Sequence, residues 1–176
     1  MEIIILIILV ALNAFFAASE IALISLNDNK VKLMAEEGNK KANLLYQLLK
    51  EPSRFLAMIQ IGITLAGFLA SAFAADSFAG SLARFIYEMG VPISQNLLEK
   101  ISVIFITLVL SYFTLVFGEL VPKRLAMKKA EAISMIVVRP LTALSVIASP
   151  FVKLLTASTN VMFVYSAWIP MPMTSR

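Results

Sequence analysis

Three long apolar runs constrain the fold of this chain more than any other feature of its sequence. They cover residues 3–26, 55–75 and 101–121, and each matches the length of about 20 residues that a helix needs to cross a bilayer. Backbone polar groups cannot stay unpaired in lipid, so spanning segments of this length are expected to be helical. Hydrophobic residues make up 60% of the chain, far above the share in a soluble domain. The sequence therefore predicts an all-α integral membrane protein with three transmembrane helices.

The distribution of Lys and Arg predicts how the chain is oriented. These residues are dense at positions 27–54 and just after residue 121, and sparse at positions 76–100. Because cytoplasmic loops carry an excess of Lys and Arg, we expect a multi-pass protein of the cell membrane with its N-terminus outside and its C-terminus in the cytoplasm. The net charge of +4 is then a topology signal. Nucleic acid is not an expected partner, since the basic residues are not interleaved with aromatic ones.

The apolar stretch at residues 132–164 is interrupted by prolines and charges. Pro140 and Pro150 each disfavour a helix that runs through the residue before them. We expect two short juxtamembrane helices on the cytoplasmic side, which complete a transport domain of residues 1–165, followed by an irregular tail at 166–176. A fourth transmembrane helix is the alternative, since lipid-embedded helices tolerate kinks. For the first run, a signal peptide is the weaker alternative, because no Lys or Arg precedes it.

The third run ends with a carboxylate beside a proline. Glu119 lies at membrane depth, where an ionisable side chain is costly and is by default a candidate functional residue. Pro122 has no N–H, and in a helix that group would donate to the carbonyl of Gly118. The segment thus combines a carboxylate with a carbonyl that lacks its helical donor. Cys and His are absent from the chain, so a metal bound here would be a hard cation held by oxygen, such as Mg²⁺, Ca²⁺ or Na⁺.

Polar and small side chains recur at helical spacing in the second and third runs. They form two stripes, Gln60, Thr64, Gly67 and Ser71 in the second run and Thr107, Ser111, Thr114 and Gly118 in the third. Such stripes also serve as packing surfaces between membrane helices, and that alternative explains the hydroxyl groups equally well. Only the carboxylate of Glu119 favours a cation site, because hydroxyl groups alone would simply pack.

Two charged residues near the inner ends of the runs have both a structural and a functional interpretation. Glu20 shares a face of the first run with Asn13, and we expect it to reach the cytoplasmic interface or to pair with a lysine there, ahead of binding an ion directly. Lys123 is either a positive anchor at a helix end or a counter-ion to Glu119.

Three segments together resemble the transmembrane domain of the CorC/CNNM (cyclin M) magnesium transporters. They are residues 13–23, 61–67 and 118–123, each on its own predicted span. The resemblance implies a homodimer of three-helix units with a cytoplasmic helical belt, which transports Mg²⁺ outward or in exchange for Na⁺. Members of the family usually continue into a regulatory module that binds nucleotide. That module is not part of these residues, so no nucleotide is expected to bind here.

The resemblance implies a metal site with ligands from all three spans. The implied ligands are Ser19, Gly67, Ser71, Gly118 and Glu119. Some relatives have asparagine at the position of Gly67, which here offers only a backbone carbonyl. Gly67 and Ser71 fall nearer the middle of the bilayer than Ser19 and Glu119, so the set converges only if a helix bends or breaks.

The sequence analysis therefore predicts a magnesium transporter, with Na⁺ as a candidate coupling ion. The alternative is a non-transporting dimeric membrane anchor or sensor for a cytoplasmic regulatory module, in which the stripes only join helices. An enzyme is not expected, because the chain has no His, no Cys and no paired carboxylates on neighbouring turns.

Overall fold

Helices joined by short connections make up the part of the chain that its structure, a computed structural model, describes. That part is residues 1–167, with side chains described up to residue 162. Its elements are α1 (Glu2–Ile24), α2 (Asp28–Glu36), α3 (Lys40–Leu49), α4 (Pro52–Glu88), α5 (Gln95–Leu115), a π-helical turn (Val116–Leu120), α6 (Val121–Lys128) and α7 (Ala130–Ala167). The irregular tail predicted at 166–176 lies outside the described residues, except for its first two, which end α7.

Helices α1, α4 and α5 form the bundle that carries the polar stripes. α4 packs against both α1 and α5, whereas α1 meets the third span mainly through the π-helical turn and α6. The buried face of α4 continues past the predicted end of the span at residue 75 with Ala79 and Ala83. Small side chains of this kind let membrane helices approach closely. The helix accordingly runs to Glu88, beyond the predicted limit at residue 75.

The third span contains the π-helical turn, which ends two residues before Pro122. The backbone N–H of Val121 donates to the carbonyl of Val116, five residues earlier instead of four. A π-helical turn of this kind inserts one residue into the helical register and often occurs at functional sites. The helical register therefore shifts in the segment that contains Gly118 and precedes Pro122, and the span continues as α6 to Lys128.

Helix α7 differs from the two short helices that were predicted. It runs through Pro140 and Pro150 as one helix, and it is the fourth described helix that is long and apolar enough to cross a membrane. The prediction of three such helices was therefore too low. Each proline removes one hydrogen bond locally, whereas Val138 and Leu141 are fully buried against the rest of the protein. Burial of apolar side chains around Pro140 explains why the helix does not end there.

Two short helices, α2 and α3, connect α1 to α4. Helix α2 begins after Asn27 and helix α3 after Asn39, whose side-chain oxygens accept hydrogen bonds from the first backbone amides of each helix. Leu45 of α3 is completely buried in one apolar cluster with Ile59 of α4 and residues of α7. This cluster holds the connecting helices against the end of the bundle.

Candidate functional site

A cleft of about 590 Å³ lies between α1, α4 and the third span. The whole stripe of α4 lines it, and part of the second stripe faces it from α5. The polar and small lining residues on these helices are Gln60, Thr64, Gly67, Ser71, Ser111 and Thr114. The cleft is also bordered by apolar side chains such as Ile63 and Phe68. Two stripes that the sequence placed on separate helices thus face one another across a shared space.

Glu119 of the π-helical turn supplies the single acidic side chain among the described residues of this lining. Its side chain is half-buried, and it makes no ion pair within the part of the chain whose side chains are described. That same part contains no group of three or more Asp, Glu, His or Cys that would enclose a metal. A cation in this cleft would therefore combine one carboxylate with hydroxyl, amide or backbone oxygens and with water.

Asn13 of α1 connects the first span to the π-helical turn. It is 1% exposed, and its Nδ2 donates a hydrogen bond to the carbonyl of Gly118 over 3.2 Å. A side chain at Gly118 would crowd this contact, because its Cβ would lie 3.0 Å from Asn13 Nδ2 and 3.4 Å from Thr114 Cγ2. In a regular α-helix the carbonyl would bond residue 122, where Pro122 has no N–H to donate. Asn13 replaces the missing helical donor.

An ion pair between Glu20 and Lys123 joins α1 to α6. The carboxylate and the ammonium are 3.1 Å apart, and both side chains are mostly buried. The interpretation of Glu20 as the partner of a lysine is thereby confirmed. Lys123 is the counter-ion of Glu20, so the alternative that pairs it with Glu119 is wrong for this structure.

The family of the chain follows from a comparison of its sequence with known proteins. Residues 4–167 match the model of the family described as the cyclin M transmembrane N-terminal domain. The chain belongs to this cyclin M family. The resemblance noted in the three motif segments is thus confirmed over nearly the whole chain.

Relatives of this cyclin M domain occur in several bacteria. A UPF0053 protein of Synechocystis sp. is 35% identical over 160 residues, which is 91% of this chain and 35% of the relative. The UPF0053 protein YhdP of Bacillus subtilis is 34% identical over 155 residues, 88% of this chain and 34% of the relative. The polyamine export protein of Escherichia coli is 28% identical over 162 residues, 92% of this chain and 36% of the relative. The chain spans about a third of the length of these curated relatives.

The five predicted metal ligands are not all in one place in this cyclin M domain. Gly67, Ser71 and Glu119 line the cleft. Gly118 is buried behind it and accepts the hydrogen bond from Asn13. Ser19 is fully buried outside the lining, and its hydroxyl donates to the carbonyl of Phe15 on the same helix over 2.6 Å. The structure thus brings three of the five into the cleft, and their role as ligands stays a prediction.

Asn13 lines the cleft but was not among the predicted ligands. It lies in the first of the three motif segments, at residues 13–23, and its polar amide in an apolar run was a usable signal. A buried amide needs hydrogen-bond partners, so an asparagine in a span is rarely without a structural or functional role. Its partner, the Gly118 carbonyl, lies 105 positions away, which explains why the contact itself was not predicted.

Proposed function

We propose that this cyclin M domain is the membrane part of a transporter that exports Mg²⁺ from the cell, with Na⁺ as the candidate coupling ion. The observation that carries the proposal is the half-buried carboxylate of Glu119 in a cleft lined by hydroxyl and amide groups. Oxygen ligands of this kind suit hard cations. Among these cations we propose Mg²⁺ because of the resemblance to the CorC/CNNM magnesium transporters.

The size of the cleft fits a partly hydrated ion. Mg²⁺ loses water reluctantly and usually keeps several water ligands, with one or two carboxylates from the protein. A space of about 590 Å³ holds such an ion together with its waters. The hydroxyl groups of Thr64, Ser71 and Ser111 can then accept hydrogen bonds from the bound waters. The carboxylate of Glu119 neutralises one of the two positive charges of the Mg²⁺ ion.

Movement of the ion requires the cleft to open to each side of the membrane in turn. The π-helical turn at Val116–Leu120 is a natural site for this change, because its hydrogen bonds are already out of the regular α-helical register. Broken helices near the middle of the bilayer are common at the binding sites of transporters. In this proposal two copies of the chain associate in the membrane as a homodimer, and each copy carries its own cleft.

A polyamine is the second candidate cargo. The relative in Escherichia coli is called a polyamine export protein and matches 92% of this chain. Polyamines are flexible organic cations, and a carboxylate in a roomy, partly apolar cleft also suits an ammonium group with its methylene chain. The two cargoes differ in their need for oxygen ligands, so substitutions and substrates can distinguish them.

The test is transport by the full chain in liposomes that contain a fluorescent Mg²⁺ indicator. Glu119→Gln keeps the shape of the side chain and removes its charge, and we expect flux to fall by about tenfold or more, because a charged contact is worth roughly 1.5–3 kcal/mol. Glu99→Gln, at an exposed carboxylate of α5 outside the cleft, is the matched control with unchanged flux. Radiolabelled putrescine is supplied in a parallel assay.

Each result bears on one cargo. Loss of Mg²⁺ flux in Glu119→Gln but not in Glu99→Gln supports the proposal. Putrescine flux without Mg²⁺ flux in the parent protein would replace it by the second candidate. A parent protein that moves neither cation, yet dimerises, would favour the non-transporting anchor.

A further inference from the structure

Two buried oxygens next to Glu119 lack hydrogen-bond partners within the described part of the chain. They are Oδ1 of Asn13 and Oγ1 of Thr114, and both residues line the cleft. Buried polar atoms in folded proteins are nearly always hydrogen-bonded, so each exception calls for an explanation such as a bound ion or water. The two side chains are neighbours, since Nδ2 of Asn13 and Cγ2 of Thr114 lie 3.0 and 3.4 Å from the position of a Cβ on Gly118.

The hydrogen bond from Asn13 determines which way its amide oxygen points. Nδ2 donates to the Gly118 carbonyl over 3.2 Å. The flipped amide would bring two oxygen acceptors together at that distance, with no proton between them, so this orientation is the stable one. Oδ1 is therefore held on the side of the planar amide away from the Gly118 carbonyl. The residue is 1% exposed, so its amide is also restrained by packing.

We propose that Asn13 Oδ1 and Thr114 Oγ1 are direct ligands of the transported Mg²⁺, together with the carboxylate of Glu119. This inference rests on the proposed function of the cleft and extends its ligand set. Amide and hydroxyl oxygens are neutral, hard ligands that hold Mg²⁺ alongside a carboxylate, and water fills the remaining octahedral positions. The three residues come from α1, α5 and the π-helical turn, so a bound ion links the first span to the third.

The same arrangement gives Asn13 a second task. Its Nδ2 keeps the hydrogen bond to the Gly118 carbonyl while its Oδ1 binds the ion. The rigid amide therefore connects the bound ion to the backbone of the π-helical turn. Ion binding then stabilises this turn in the geometry seen here. The Gly118 carbonyl acts in this arrangement through Asn13, as the acceptor that holds the amide in place.

Two other buried hydroxyls provide matched controls. Ser102 on α5 and Ser134 on α7 also lack hydrogen-bond partners among the described residues, and neither lines the cleft. Their hydroxyl oxygens are buried like that of Thr114, but neither residue lies in the lining beside Glu119. Any effect that comes only from removing an unpaired buried hydroxyl will appear equally in Ser102→Ala and Ser134→Ala.

The experiment measures Mg²⁺ affinity of the full chain in detergent by isothermal titration calorimetry. Thr114→Val keeps the shape of the side chain and replaces the hydroxyl by a methyl group, and we expect the dissociation constant to rise by about tenfold. Thr114→Ser keeps the hydroxyl and loses only the methyl group, so its affinity should lie within about threefold of that of the parent protein. Asn13→Ala removes a ligand and the link to Gly118, and we expect a loss of affinity at least as large as that of Thr114→Val.

A thermal unfolding series separates a ligand from a merely unpaired hydroxyl. Without Mg²⁺, the Tm of Thr114→Val should equal or exceed that of the parent protein, because a costly buried hydroxyl is gone. Saturating Mg²⁺ should then raise the Tm of the parent and of Ser102→Ala by the same amount, and that of Thr114→Val by less.

The outcomes distinguish this inference from the proposed function. Parent-like Mg²⁺ affinity in Thr114→Val overturns the inference, and if Glu119→Gln still loses affinity, the proposed function stands without it. A parent protein that binds no Mg²⁺ overturns both. If Asn13→Ala does not fold, Thr114→Val and its serine counterpart decide the result.

Discussion

The ion pair between Glu20 and Lys123 stabilises the contact between α1 and α6 by an amount that follows from its distance and burial. The charged atoms are 3.1 Å apart, and the side chains are 22% and 30% exposed. At an effective dielectric constant of about 20, the attraction at this distance is about 5 kcal/mol before desolvation is subtracted. Loss of a fully buried partner costs about 3–5 kcal/mol, and an exposed pair contributes about 0–1 kcal/mol. The intermediate burial of this pair predicts about 2 kcal/mol.

We therefore expect Lys123→Met to lower the free energy of unfolding by about 2 kcal/mol, because the Glu20 carboxylate stays largely buried without its counter-charge. The double variant Glu20→Gln/Lys123→Met should lie within about 1 kcal/mol of the parent protein, since neither charge then remains unpaired. Reversible unfolding in mixed micelles, with increasing fractions of denaturing detergent, measures all four proteins of the double-mutant cycle. The expected coupling energy between the two sites is about 1.5–2 kcal/mol.

Arg84 and Glu88 form the matched control at the far end of α4. Their charged atoms are also 3.1 Å apart, but the side chains are 76% and 63% exposed. Arg84→Met should lower the free energy of unfolding by no more than about 0.5 kcal/mol. If Lys123→Met and Arg84→Met have equal effects, burial does not strengthen the pair of Glu20 and Lys123, and the reasoning is refuted.

Two further predictions concern backbone packing and helix capping. Gly62→Ala should lower the free energy of unfolding by about 1–3 kcal/mol, because its Cβ would lie 2.6 Å from the ring of Phe16, which must move. Gly80→Ala on the same helix has nothing within 4 Å of its Cβ, and it should raise the free energy of unfolding by about 0.5–1 kcal/mol. The two variants should therefore shift the Tm in opposite directions, and shifts in the same direction would contradict the geometry. Asn39→Ala removes the acceptor for two backbone amides of α3 and should cost about 1 kcal/mol. Hydrogen exchange should speed up in α3 but not in α1, and a uniform change in both helices would contradict a local cap.

Most of the helical architecture could be predicted from hydropathy, because the bilayer requires long apolar segments to be helical. The exception is α7, where Pro140 and Pro150 favoured a break in the helix. Proline acts through a local loss of one hydrogen bond, whereas the compensating burial of Val138 and Leu141 depends on residues far away in the chain. The helix-breaking tendency of proline takes no account of burial by residues distant in sequence, so the fourth long helix was only the alternative prediction.

The candidate site was predictable to the extent that helical periodicity controls it. Spacing along single helices put Gln60, Thr64 and Ser71 on one face, and the structure places that face in the cleft with Glu119. Periodicity cannot say which residue of another helix will meet a given carbonyl. Pro122 identified the Gly118 carbonyl as lacking its helical donor, but only the packed helices show that Asn13 supplies one.

By itself, the sequence determined that the chain is a bundle of membrane helices with an oxygen-only polar face around Glu119, since composition and helical periodicity are local properties of the chain. The tertiary structure alone decided which polar groups meet. It paired Lys123 with Glu20 and left Glu119 facing the cleft, and it joined Asn13 to Gly118 across 105 positions of sequence. The physical reason is that the register between packed helices depends on the fit of all their side chains at once, which no single segment encodes.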